Sequence, residues 1–147
     1  MFRKKSGFTL LELIVVMAVI AILVAMGVPR FIGYTKDADV TAMKADAKVL
    51  EDACMIYHLE NEGWPCEIEG EEFVEATDLA PGLVTALAGT KAYEINGDLL
   101  GEHIRSLKNN ISEYALIIDG DYEGQVVHKA GVEDRSGTTH YGIDIEG

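Results

Sequence analysis

Basic residues are scarce in this 147-residue chain: Lys and Arg number 12 against 25 Asp and Glu, a formal net charge of -13. A phosphate-binding surface would form against a repulsive overall field, so no direct nucleic-acid site is expected. The four histidines, His58, His103, His128 and His140, lack metal-ligand spacing, and no glycine-framed serine or Cys/His signature marks a nucleophile. No metal site, cofactor or enzyme activity is therefore expected. The length rules out a second full-sized domain, while 48% apolar residues is too hydrophobic for a disordered chain.

The apolar residues are unevenly spread. Phe8 to Val28 holds 21 residues, of which only Thr9, Glu12 and Gly27 are not apolar. At about 1.5 Å per residue a helix of this length covers roughly 30 Å, the thickness of a hydrocarbon core. Arg3, Lys4 and Lys5 precede it and should stay cytoplasmic, with the acidic remainder exported. A cleaved signal peptide is the plain alternative, with Ala25-Met26-Gly27 as small residues for cleavage and a soluble binding protein starting at Val28 as its product. Glu12 argues against it, because a carboxylate near a bilayer centre costs about 2.5–3.5 kcal/mol and a disposable signal has no use for it.

Lys4-Lys5-Ser6-Gly7-Phe8-Thr9-Leu10-Leu11-Glu12-Leu13, followed by the apolar stretch and Pro29, closely resembles the amino-terminal motif of type IV prepilins and the related pseudopilins. The resemblance implies a leader of residues 1–7, removed by a prepilin peptidase after Gly7, and N-methylation of the new terminus, Phe8. It also implies a transmembrane and polymerisation helix over 8–28, an extracytoplasmic pilin head over 29–147, and a pilus assembly platform as partner. Losing Met1 to Gly7 removes three cations and no acid, taking the net charge from -13 to -16. Glycine at position 7 lets an extended backbone enter a protease cleft, and the lysines hold the site at an anionic leaflet. In lipid Glu12 needs a proton or a nearby cation, and the α-amino group of Phe8 lies one turn away or on a neighbouring subunit. In the family this carboxylate is thought to guide subunit registration.

Pro29 should kink or loosen a helix that passes through it, or else end the helix there. Beyond it Val40, Met43, Ala47, Leu50, Cys54 and Tyr57 recur at spacings of 3 and 4, one apolar stripe opposite a face carrying Lys44, Asp46, Lys48, Glu51 and Asp52. The stripe is too short before Gly63 and Pro65 for a coiled-coil seam, so it is read as the face packed on the protein's own sheet. Glu113 to Ile118 and Gln125 to Lys129 read as a hairpin, with Thr139 to Ile145 as a third strand. Thr77 to Leu87 is a short helix candidate interrupted at Pro81-Gly82, and Leu99 to Leu107 is another. The expected fold is α+β: a long N-terminal helix, anchor running into amphipathic half, on an antiparallel sheet of three or more strands, a two-layer arrangement that pilin heads share.

Asp119-Gly120-Asp121-Tyr122-Glu123-Gly124 matches the opening of a calcium loop, but its twelfth position is Ala130, so it is read as a solvated hairpin turn. Cys54 and Cys66 lie twelve apart across a turn; export favours a disulfide, and two buried thiols are the alternative. Phe8, Phe31, Tyr34 and Tyr57 are read as core and interface packing. The resemblance implies a homo-oligomeric helical filament, anchored in the cytoplasmic membrane before assembly and extracellular after it, for adhesion, motility or DNA uptake. The alternative use is a type II secretion pseudopilus acting as a piston for protein export.

Overall fold

The computed structural model describes residues 7–69, 72–104, 107 and 110–143. Helix α1 runs from Leu10 to Asn61, 52 residues and roughly 80 Å at about 1.5 Å per residue. It begins at a reciprocal cap: Thr9 Oγ1 accepts from the Glu12 N–H at 3.2 Å, and the Glu12 carboxylate accepts from the Thr9 N–H at 2.9 Å. The helix passes through Pro29 without ending, so the anchor and the amphipathic half are one element. It stops at Glu62, whose φ of 55° is left-handed and whose N–H donates to His58 O at 2.9 Å. The stop thus falls one residue before the glycine that sequence assigns to it, and a residue bearing a Cβ adopts the strained conformation.

The stripe Val40, Met43, Ala47, Leu50 and Cys54 is buried as expected, with Tyr57 half-buried beside it. Asp46, placed on the charged face by periodicity, is buried instead, and Glu51 reaches across to accept from the Val126 N–H at 3.3 Å. The buried arc is wider than the apolar stripe because the head wraps the helix on both sides of it. Lys48 keeps to the solvent face and bridges Glu51 and Asp52 at 3.2 and 3.3 Å.

The central sheet has the order β3-β4-β5, from Ala92–Glu94, Tyr114–Ile117 and Val126–His128, all antiparallel. The expected hairpin is β4 and β5. The third strand is β3 rather than the segment from Thr139, which forms β7 (Thr139–His140) and pairs with β6 (Val132–Glu133) in a separate two-stranded sheet. Asp144 and Ile145 of that expected strand lie outside the described residues. A further small hairpin joins β1 (Ile68–Glu69) to β2 (Glu72–Phe73).

Every residue of β4 and β5 is buried, which a sheet covered on one face would not require. Tyr114, Leu116 and Val126 pack with α1, whereas Ala115, Ile117 and Val127 pack with Leu83 and Leu87 around helix α2 (Pro81–Ala86) and with Tyr141 and Ile143. The head therefore has three layers, and the two-layer expectation is corrected. Pro81 opens α2 rather than interrupting it, since its missing N–H is unneeded at a first helical position. The second helix candidate is short, α3 (Gly97–Leu100) followed by a 3₁₀ turn over Gly101–Ile104.

Both outer edges of the central sheet are occupied. Segment 74–76 covers β3 through Ala76 N–H to Ala92 O and Glu94 N–H to Val74 O, and the β5 residue His128 donates to Tyr141 O at 2.8 Å. Gly142, at φ +95°, lets that last segment cross α1, since a Cβ there would stand 3.2 Å from the Ala47 Cβ. Cys54 and Cys66 are free thiols, both buried in the cluster between α1 and the sheet. Burial pushes each thiol up to about 12, which keeps both protonated.

Lys129 fastens the end of β5. Its side chain is 7% exposed, with Nζ 2.7 Å from both Glu94 oxygens and 3.3 Å from Asp78, while its backbone bonds Glu113 and Ala80. Lys129→Ala leaves Glu94 without its cation and should lower head stability by about 2–3 kcal/mol in denaturant unfolding. Glu62→Gly should raise it by about 0.5–1 kcal/mol in the same assay, by relieving the left-handed backbone.

Candidate functional site

The residues singled out by sequence gather at the start of α1. Gly7 and Phe8 precede the first helical turn, both are exposed, and nothing lies within 4 Å of where a Gly7 Cβ would stand. The Gly7–Phe8 bond thus lies outside the helical hydrogen-bond ladder, with both of its residues exposed. Lys4, Lys5 and Ser6 lie outside the described residues. Glu12 stands one turn into the helix, with its carboxylate held by the Thr9 N–H and hydroxyl, each at 2.9 Å. This orients the acid back toward the chain terminus. Sequence inspection overlooked Thr9 although the signal was present, since Thr-x-x-Glu ahead of an apolar run is the capping pattern.

From Leu10 to Tyr34 nearly every large apolar side chain of α1 is exposed, and the helix is long and apolar enough to cross a membrane. Leaving that surface in water is unfavourable by roughly 1.5–3 kcal/mol per large side chain, so it requires lipid or protein around it.

The head first grips the helix just beyond Pro29. In the β6–β7 loop Arg135 packs against Gly33, its Nε lies 3.3 Å from Asp37, and its N–H donates to the same carboxylate at 3.2 Å. Glu133 pairs with Lys36 at 2.9 Å. The loop is held in shape by Asp134, which accepts from the Ser136 N–H and hydroxyl and the Thr138 N–H, and lies 3.1 Å from His140 Nε2. Those bonds, led by the Ser136 hydroxyl and then His140, hold the Asp134 carboxyl far below the usual carboxylate range. The contacts that tie this loop to α1 carried no signal in the sequence, because their partners are nearly a hundred positions apart.

Among the described residues no three His, Cys, Asp or Glu side chains are grouped to hold a metal ion. A depression of about 350 Å³ is lined by Asp78, Ser112, Glu113, His128, Lys129 and Ala130. His128 there commits Nδ1 to the Gly131 N–H at 3.0 Å and faces Glu113 with Nε2 at 3.4 Å, leaving no ring nitrogen to activate a hydroxyl. Residues 119–124 form the turn between β4 and β5, with a 3₁₀ turn at Gly120–Tyr122.

The model of the prokaryotic N-terminal methylation motif matches residues 2–28. The type II secretion system core protein G of Escherichia coli K12 is 30% identical to this chain, over 95% of it and 93% of that protein. The chain belongs to the type IV pilin and pseudopilin family. This family comprises structural subunits. The core protein G of Vibrio cholerae is also 30% identical, over 84% of this chain and 87% of that protein. A fimbrial protein of Neisseria meningitidis serogroup B is 29% identical, over 68% of this chain and 64% of its own length. No solved structure matches the chain.

The bonds to Asp134 predict an acid sensitivity for the head of this pilin-family chain. A carboxyl depressed in the folded state contributes stability above its unfolded value of about 4 and loses it as pH falls. Between pH 6 and pH 3 the melting temperature of the parent head should fall more steeply than that of Asp134→Asn, measured by circular dichroism; parallel slopes would remove Asp134 as a contributor.

Proposed function

We propose that the protein is the structural subunit of a type IV pilus, cleaved after Gly7, methylated on Phe8 and polymerised through α1 into a helical filament. The carrying observation is a helix whose first 25 or so positions are largely apolar and exposed, with a capped acid in its first turn and a compact head after it. In this reading residues 1–7 are leader, 8–28 the span and 29–147 the head. Lipid covers the span before assembly and neighbouring copies cover it afterwards, so the apolar area leaves the membrane only by entering protein. Glu12 then meets a Phe8 amine, its own or a neighbour's, and the Thr9 cap holds it in the orientation that this pairing uses. Adhesion, motility or DNA uptake belong to the filament. Continuity of α1 across Val28 supports retention of the span over its removal as a signal.

A second reading, a short secretion pseudopilus, is favoured by the end-to-end match to core protein G, which the fimbrial match does not equal. Deleting the chain from its host separates the two: loss of long surface filaments supports the pilus, whereas intact filaments with loss of protein export support the pseudopilus.

Intact mass and amino-terminal peptide mapping of the native protein should find a chain starting at Phe8 with one added methyl. A start at Val28 would sink the filament reading. Glu12→Gln should leave the melting of the head unchanged and lower filament yield by about tenfold or more, the scale of a charge pair lost from an apolar setting.

A further inference from the structure

Most of the exposed large apolar side chains of α1 beyond Pro29 fall into two groups. Near the anchor are Phe31 at 68% and Tyr34 at 63% exposure; near the far end are Ile56 at 40% and Leu59 at 74%, with Leu99 beside Ile56. Ile32 and Met55, also exposed, are turned about 100° from Phe31 and Ile56 respectively and belong to neither group. Phe31 to Ile56 and Tyr34 to Leu59 are each 25 residues apart. At about 3.6 residues per turn this is within roughly 20° of seven full turns, so both groups share one face of the helix, nearly opposite the buried stripe. At about 1.5 Å per residue they are separated by roughly 38 Å. The face between them carries Ala38, Thr41, Ala45, Lys48 and Asp52, all exposed.

Neither group packs into the head's two core clusters. Their spacing is fixed, because this stretch lies on the head side of Pro29 and is clamped by the contacts of Arg135 with Asp37 and Gly33. Copies arranged around a common filament axis all turn the same face inward, so two patches on one face can meet only between copies displaced along that axis. The face continues directly into the exposed apolar span through which copies associate in the filament reading. Charge agrees with the pairing: exposed Arg30 flanks the lower patch and exposed Glu60 the upper, beside the negative end of the helix.

We infer that the occupant of the Ile56–Leu59 patch is a second copy of this chain, displaced by roughly 38 Å along α1 and presenting its Phe31–Tyr34 patch. The inference rests on the filament reading and adds to it an axial register and the side chains that set it. One copy contributes its upper patch to the next copy and its lower patch to the previous one, so the contact is heterologous and propagates along the fibre.

The test is cysteine crosslinking in filaments sheared from cells and oxidised with copper–phenanthroline, with the parent chain as background because Cys54 and Cys66 are buried. The double variant Tyr34→Cys/Leu59→Cys should give a ladder of multimers, and a mixture of the two single variants should give dimers only. Leu59→Ala, which removes a side chain with little role in the isolated head, should leave head melting unchanged and reduce filament yield by about tenfold. If parent filaments form and the 34/59 pair stays uncrosslinked, as it would were these patches covered by lipid alone, the register is wrong while the filament reading stands. A ladder from Tyr34→Cys/Lys48→Cys instead would likewise overturn it in favour of a shorter displacement. If the parent chain forms no filaments, both readings fall.

Discussion

An apolar helical surface that its own chain does not cover is the constraint on which the rest of the molecule depends. Helix α1 is continuous from Leu10 to Asn61, yet only its second half is packed against the head. The exposed half has no stable state in water, so it always needs a partner phase, whether hydrocarbon or the same surface of other copies. A carboxylate near the start of this surface, held by the Thr9 N–H and hydroxyl, is the one charged group of α1 before Pro29.

The head is organised to hold the other half rigidly. The central sheet lies between α1 on one side and α2 with the final segment on the other, so its two buried faces tie the helix to elements far away in sequence. Lys129 fastens this assembly through Glu94 and Asp78, and the β6–β7 loop fastens it to α1 through Asp37 and Lys36. Pro29 and Gly27 lie just outside the clasp. Any local loosening that the missing proline N–H permits therefore falls on the anchor side of the clasp.

Much of this was legible in the sequence where the signal is local. The apolar span, the 3-and-4 stripe from Val40 to Cys54 and the hairpin of β4 and β5 follow from periodicity alone, and all three are in the structure. What failed depended on distant partners. Strand β3 is only three residues long and is defined by its pairing with β4, so composition gave no reason to prefer it over the alternating stretch after Thr139. Asp46 looked solvated because a helical wheel does not know how far the head wraps the helix. The third layer was missed since continuous burial in strands of three and four residues looks the same as a short apolar run of any kind. At the functional end Gly7, Phe8, Glu12 and Pro29 carried their own signals, whereas the clasp at Asp37 and Arg135 had none.

The covered edges of the central sheet would have a consequence in the fibre proposed for this chain. Heads held side by side experience an enduring local crowding that free proteins meet only briefly, and bare strands in that setting would recruit one another in arbitrary registers. With segment 74–76 along β3 and Tyr141 against β5, neither side of the sheet offers an unoccupied row of amides. Along this sheet, neighbours in the proposed filament would meet side chains rather than strand edges, which is a condition for one repeating geometry instead of a tangle.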